Sequence, residues 1–195
     1  MGLCIYYNGI IDDQASLSGM IKEVKDIAEA FDWKYFVFDK VFPEGSIGKT
    51  FYNDNIYGIN FTPPGCETLD LCFLSNGRMS SYVNLKFYGN SKDEDEQNYL
   101  YMLSTKTQYA GIETHKIIIH LLKYLSKKYF KEFNLSDEGE YWETGDEKLL
   151  EEKFRLYNAL IENVADAIKN YSMVPGETFE QYFLRVMQQI HKKRQ

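Results

Sequence analysis

The chain has 195 residues, a formal net charge of −7 at pH 7, and 44% hydrophobic and 16% aromatic residues. This composition excludes an intrinsically disordered chain, which carries too few apolar residues to form a core. The acidic balance argues against general nucleic-acid binding, because contact with phosphates depends on lysine and arginine. The length favours a single domain over residues 1–195.

The cysteines and the apolar runs indicate a cytoplasmic protein. Cys4, Cys66 and Cys72 form no Cys-x-x-Cys pair, and a chain of this length needs no disulfide to fold. The first residues lack the positive segment and the long apolar run of a signal peptide. No apolar run is long enough for a transmembrane helix, so we expect no membrane partner.

The first part of the chain predicts a β-α-β unit. Residues 3–7 are a short β-prone run that ends at the turn signal Asn8-Gly9. From Leu17 to Phe31, apolar residues recur at helical spacing, which predicts an amphipathic helix. Residues 34–42 are rich in aromatic and β-branched side chains and predict a strand.

The middle of the chain predicts an antiparallel meander. Asn76-Gly77 is typical of a type I′ hairpin, because both residues tolerate positive φ, and Pro63-Pro64-Gly65 predicts another turn. Short connections of this kind suit antiparallel neighbours. The strands are predicted over residues 56–62, 68–74, 79–88 and 99–105.

The last part of the chain predicts helices. Residues 115–129 carry an apolar stripe opposite a lysine face that lacks arginine, so no nucleic-acid partner is expected. Apolar residues step by four and three over 150–171, and the rhythm returns over 179–190. This seam either packs internally or makes the chain a homodimer. The C-terminal helical portion, 146–195, would pack on the domain or extend from it.

Together these elements predict an α+β fold. It comprises an N-terminal β-α-β unit plus an antiparallel meander, about six strands in all, with helices packed on one face and a C-terminal helical pair. Helices that follow a run of strands are typical of this class of fold.

The leading functional hypothesis rests on the acidic aromatic segment, residues 137–146. Aromatic side chains flanked by acids are typical of protein-binding surfaces. Thr144 and Glu147 fit a capping box that would start the last long helix. We therefore expect a non-enzymatic protein-binding module of adaptor, immunity or regulatory type. Its predicted contact residues are Asp137, Glu138, Glu140, Tyr141 and Trp142.

The alternative hypothesis is a small metal-dependent hydrolase. Carboxylates at this density could hold a divalent cation, although their spacing does not match an EF-hand loop. His115 could pair with Glu143 as an acid/base couple if the segment folds over the start of the helix. The sequence assigns no metal ligand and predicts no other cofactor.

Two loops are candidate anion sites. Residues 45–50, Gly-Ser-Ile-Gly-Lys-Thr, end like a phosphate-binding P-loop, but Pro43 stands where the leading glycine belongs. Nucleotide binding there is a further alternative. Thr105, Lys106 and Thr107 lie before a predicted helix and could bind an anion with its free amides. The same composition also suits an ordinary helix-capping loop.

Overall fold

The computed structural model describes residues 2–192, except for the side chains of Ala167 and of residues 190–192. Within this part of the chain it shows an α+β fold, which confirms the predicted class. The strands are β1 (Cys4–Ile11), β2 (Lys34–Val37), β3 (Tyr57–Thr62), β4 (Leu69–Phe73), β5 (Leu103–Lys106) and β6 (Phe130–Asp137). The helices are α1 (Ser16–Ala30), α2 (Tyr82–Tyr88), α3 (Glu94–Tyr99), α4 (Ile112–Tyr129), α5 (Tyr141–Thr144), α6 (Glu147–Asn170) and α7 (Phe179–Lys192).

The strands form two antiparallel sheets of three, with the orders β5-β1-β6 and β2-β3-β4. The second sheet is a short meander, and it begins one element earlier than predicted. The N-terminal strand, helix and strand also form, but β1 and β2 belong to different sheets. The predicted turn at Asn8-Gly9 is wrong, because β1 continues through both residues to Ile11 and pairs there with β6. The sequence pattern therefore predicted the elements of this region better than their pairing.

One predicted strand is a helix. A turn forms at Asn76-Gly77, and Met79 bridges back to Phe73. It is not the predicted type I′ turn, because Gly77 has a φ of 85° whereas the φ of Asn76 is not positive. The chain then leaves the sheet, because the Ser81 hydroxyl accepts the backbone N–H of Asn84 and starts α2. The prediction of a strand over 79–88 is wrong beyond that bridge. The strand predicted over 99–105 shortens to β5.

The strand β6 was not predicted from the sequence. It pairs with β1 from Ile5 opposite Asp137 to Ile11 opposite Phe130. Several of its outward residues are charged or polar and exposed, which hides the apolar alternation expected of a strand. The predicted acidic connection therefore begins at the end of a strand, and this places Asp137 beside the first sheet.

The two long amphipathic helices of the body form as predicted. Their apolar stripes are buried against the sheets, which is the reason that helical spacing in the sequence marks them. The buried residues of α1 are Leu17, Met20, Ile21, Val24 and Ala28. Those of α4 are His115, Ile118, Ile119, Leu121, Leu122, Leu125 and Tyr129.

One hydrophobic core joins both sheets to the helices that cover them. Tyr7 of β1 crosses this core, and its hydroxyl accepts the backbone N–H of Asp70 in β4 at 2.9 Å. Trp33 stacks on Phe61 of β3 with ring centroids 5.6 Å apart. This cluster contains residues of both sheets and of the covering helices, so the two sheets share the main core. A smaller buried cluster, which includes Cys72 of β4 and Leu85 of α2, lies apart from it.

The C-terminal helical pair packs within the chain. Leu150 and Phe154 of α6 are buried in the main core, and Tyr171 packs against Tyr182 and Val186 of α7. Homodimerisation through this seam stays a prediction. In the described part of the chain, no helix combines the length and apolar character needed to cross a bilayer.

The cap of α6 lies two residues later than predicted. The carboxylate of Asp146 accepts the backbone N–H groups of Lys148, at 2.9 Å, and Leu149, at 3.2 Å. The Thr144 hydroxyl accepts the N–H of Asp146 instead of starting the helix. A carboxylate at this position satisfies amides that have no partner inside the helix and complements the helix dipole.

Candidate functional site

A buried polar chain links Thr107, His115 and Asp137 where β5, α4 and β6 meet. The Nδ1 atom of His115 lies 2.7 Å from the Thr107 hydroxyl, and its Nε2 atom lies 3.1 Å from Oδ2 of Asp137. Each of the three residues is at most 4% exposed. A hydroxyl, an imidazole and a carboxylate in this order resemble an activated nucleophile. Their burial keeps substrate and water away from the hydroxyl, so the contacts hold the fold together.

Asp137 is the centre of this network. Its carboxylate also accepts the backbone N–H groups of Gly139, Tyr141 and Trp142 at 2.8, 2.9 and 3.2 Å. Burial by itself would raise the pKa of Asp137, but the hydrogen bond and charge of His115, with the amides of Gly139 and Trp142, hold the pKa below its ordinary value. The carboxylate therefore organises the turn that leads from β6 into α5.

His115 and Glu143 do not form the predicted acid/base couple. Asp137 takes the place beside His115, while the Glu143 carboxylate accepts the backbone N–H of Asp137 at 3.3 Å. Glu143 can reach this amide because α5 turns the chain back over the end of β6. The carboxylate that reaches His115 is therefore Asp137, at the end of β6, and not Glu143.

The predicted contact residues of the acidic aromatic segment make contacts inside the chain. Glu138 accepts the backbone N–H of Cys4 at 2.8 Å, and Glu140 pairs with Lys153. Tyr141 is 5% exposed. The half-buried Trp142 packs on Phe133, with ring centroids 5.9 Å apart. Much of the segment is thus occupied in joining β6 and α6 to the body.

The loop of Thr105, Lys106 and Thr107 does not present its hydroxyls to solvent. Thr105 is buried and donates to the backbone carbonyl of Glu67, and Thr107 is buried beside His115. The Glu67 carboxylate accepts the backbone N–H of Lys106 at 3.0 Å. A carboxylate in that position repels a second anion, so the geometry adds no support to an anion site.

The Gly-rich loop over 45–50 uses its amides within the chain. The N–H of Gly48 donates to the carbonyl of Asn76, and that of Lys49 donates to the carbonyl of Ser46. The Ser46 hydroxyl donates to the Ser75 carbonyl at 2.6 Å. Residues 51–56, which follow, contain no helix, whereas a P-loop presents free amides at a helix N-terminus.

The described residues bring no three histidine, cysteine or acidic side chains together in an arrangement that could hold a metal ion. His115 and Asp137 are the nearest approach to the predicted cluster, and their remaining polar contacts are with a hydroxyl and with amides. The cation of the alternative hypothesis therefore has no evident set of ligands in this part of the chain.

A second candidate site lies on the outer face of the sheet β2-β3-β4, which we call the aromatic groove. It has a volume of about 460 Å³ and combines apolar walls with polar groups from the sheet. One wall comes from β2 and the residues after it, and the other comes from the start of α2. The residues that line the groove are Phe36, Phe38, Asn60, Thr68, Asp70, Ser81, Tyr82 and Val83.

Asp70 carries the charge of this groove. Its neighbours Leu69 and Leu71 are fully buried, so strand alternation places the Asp70 side chain on the opposite, outer face. Its carboxylate accepts one hydrogen bond, at 3.3 Å, from the Asn60 amide. Burial raises the pKa of Asp70 to about 6. Within residues 2–192, no lysine, arginine or histidine forms an ion pair with it.

The aromatic groove was not identified from the sequence. A lone acid between two leucines of a strand, at Asp70, is a signal that could have drawn attention to it. Phe36 and Phe38 share a strand face by their spacing, but Tyr82 and Val83 were assigned to a strand. The start of α2 had to be known before these side chains could be placed at the groove.

Comparisons with known proteins assign the chain to no family. No protein-family model matches the chain, and no curated protein or solved structure matches it significantly.

Proposed function

We propose that the protein is a non-enzymatic protein-binding module of adaptor, immunity or regulatory type, and that its partner docks in the aromatic groove. The observation that carries the proposal is the exposure of the groove walls. Phe36, Tyr82 and Val83 are 59%, 57% and 58% exposed, although all three line one concavity. Single exposed apolar residues are ordinary, whereas a cluster around a groove is typical of an interaction surface.

The helix α2 extends the same apolar surface. Phe87 is 68% exposed and lies four residues after Val83, so the two side chains share one face of the helix. On the sheet side, the rings of Phe36 and Phe38 meet edge to face with centroids 4.8 Å apart. A partner that covered this surface would bury exposed aromatic side chains, and no contact within the chain would have to break first.

The segment 137–146 is the alternative docking surface, and fewer of its side chains are free to contact a partner. Its charges accept hydrogen bonds or form ion pairs inside the chain, and Tyr141 is buried. A partner that binds this segment would have to break such contacts, which costs free energy. Binding at the aromatic groove does not carry this cost. Trp142 is the member of the segment that keeps a partly exposed ring.

We place the module in the cytoplasm. The three cysteines are free thiols, and Cys72 is fully buried. Burial also raises the pKa of the Cys66 thiol to about 12, so this thiol is protonated and unreactive at neutral pH. Thiols of this kind suit a reducing compartment.

A site-specific photocrosslinker tests the docking surface. Benzoylphenylalanine at position 83 is expected to trap a partner in cells, and Phe36→Glu in the same chain is expected to abolish the product. The matched control carries the crosslinker at Tyr109, which is 65% exposed and lies outside the aromatic groove. Equal products at both positions, or none at position 83, would contradict the proposal.

The hydrolase and nucleotide alternatives predict ligand-induced stabilisation. A ligand that binds the native state must raise the melting temperature. We expect no rise with Mg²⁺, Mn²⁺, Ca²⁺ or Zn²⁺, and none with ATP or GTP, in a thermal-shift assay of the full chain. A rise with a cation would favour the metal-dependent hydrolase. A nucleotide effect lost in Lys49→Ala would favour binding at 45–50.

A further inference from the structure

The aromatic groove holds an acidic group that forms no ion pair with any of the described residues. Asp70 is the acidic residue among those that line the groove, and its carboxylate is satisfied by one long hydrogen bond from Asn60. A carboxylate that has lost much of its water and gained no positive partner is costly to keep. Such a group is favourable where a ligand brings the missing charge.

We infer that the Asp70 carboxylate and the aromatic walls around it bind a lysine or arginine side chain of the partner protein. This inference rests on the proposed function and names the chemistry that the groove recognises. The cationic head would meet the carboxylate between β3 and α2, and its alkyl stem would lie along the apolar walls. A neutral side chain of the same size would leave the negative charge of Asp70 without a positive partner.

The walls suit a cation as well as an apolar stem. Phe36, Phe38 and Tyr82 present aromatic rings around the groove, and ring faces attract ammonium and guanidinium groups. Long basic side chains also bury their methylene groups against apolar surface while their charge stays near polar groups. A ring-walled groove with one carboxylate therefore matches both ends of such a side chain.

The charge of the whole chain favours the same class of partner. The net charge of −7 attracts basic surfaces at long range and speeds their encounter with the protein. The apolar face of α2 at Val83 and Phe87 adds a place for an apolar residue next to the basic one. We therefore expect a basic residue flanked by an apolar residue in the partner segment.

Small probes test the chemistry without the partner. N-acetylarginine amide and butylammonium are titrated into the ¹⁵N-labelled full chain, and N-acetylcitrulline amide and butanol serve as neutral counterparts of similar shape. The cationic probes are expected to shift backbone amides of β4 and the start of α2. We expect their affinities to exceed those of the neutral probes by about tenfold, the size of one charge-assisted hydrogen bond.

Substitution at Asp70 identifies the group responsible. Asp70→Asn keeps the shape of the side chain and is expected to lower the affinity for cationic probes about tenfold, to that of the neutral ones. Asp26→Asn, at an exposed acid on α1, is the matched control and should change neither affinity. Equal binding of charged and neutral probes to the unmodified chain would overturn the inference without any variant.

The inference and the proposed function fail in different ways. If the crosslinker at position 83 still traps a partner in the Asp70→Asn chain at the original yield, the basic side chain is wrong and the docking surface stands. If no partner is trapped while the cationic probes bind through Asp70, the groove binds small organic cations and the proposed protein binding is wrong.

Discussion

At Asp70 the fold keeps a carboxylate where its charge is costly. Burial raises its pKa to about 6, so the native state holds this proton more tightly than the unfolded chain does. The cost of the charged form is absent below about pH 4, near the unfolded pKa, and complete above about pH 6. The residue thus lowers the stability of the protein under the conditions in which its charge is available to a ligand.

Asp70→Asn is therefore expected to stabilise the protein near pH 7.5 and not near pH 4. We expect a gain of about 1–2 kcal/mol in the free energy of unfolding, less than two full pKa units would give because the side chain is partly exposed. Urea denaturation at both pH values measures the difference. An equal gain at the two pH values would show that the charge is not its cause.

The opposite pH dependence is expected at Asp137. Its pKa is lowered in the native state, so its charge stabilises the fold above the unfolded pKa, and this contribution is lost as the pH falls through the native pKa. Asp137→Asn should cost about 2–4 kcal/mol at pH 7, because His115 loses a buried charged partner. The cost should shrink towards pH 3. Glu138→Gln, at one partly buried bond, is the milder control.

At the level of elements, local signals predicted much of the fold. The helices α1 and α4 and the position of the turn at Asn76-Gly77 could be predicted, since they follow from patterns a few residues long. β6 was missed because its outer face is polar, and α2 was missed because Tyr82 and Val83 favour strands. There the Ser81 cap and the surrounding packing outweigh the propensity of the residues.

The candidate site was harder to predict from the sequence, because it also depends on packing between distant segments. Asp70 could be noticed as a lone acid in an apolar strand, but its position in a groove depends on elements that are distant in the sequence. The pairing of His115 with Asp137 required knowledge of the register between β1 and β6. Contacts of this kind follow from topology, which a single sequence does not specify locally.

The start of α6 offers a test of one element. Asp146→Ala removes the acceptor of two backbone N–H groups and is expected to cost about 1 kcal/mol of stability. Thr144→Val, at the residue that the sequence pattern favoured as the cap, should cost less. Chemical denaturation of both variants decides between the positions, and a larger loss from Thr144→Val would restore the predicted capping box.

At the scale of the molecule, α7 is attached to the body through α6. Tyr182 packs against Tyr171, and its hydroxyl donates to the carbonyl of Ile168. Arg185 pairs with Glu177 in the connection between the two helices. The main core described above draws on α6 at Leu150 and Phe154 and contains no described residue of α7. The helix α7 is therefore an extension that the main core does not require.

A chain that ends at residue 172 is expected to keep the fold of the body. We expect its free energy of unfolding to change by less than about 1 kcal/mol, because the main core stays complete. Chemical denaturation measures this, and sedimentation of both chains shows whether α7 carries a dimer contact. Loss of cooperative unfolding in the shorter chain would mean that α7 is part of the core structure.

The two tryptophans give each sheet its own optical reporter. Trp33 stacks on Phe61 of the second sheet, and Trp142 packs on Phe133 of the first, so Trp142→Phe and Trp33→Phe leave chains that emit from one sheet or the other. With one shared core, both emissions should change at the same denaturant concentration in chains of equal stability. Separate transitions would show that the sheets melt one after the other, and emission from Trp33 would then show when the half of the molecule that bears the aromatic groove comes apart.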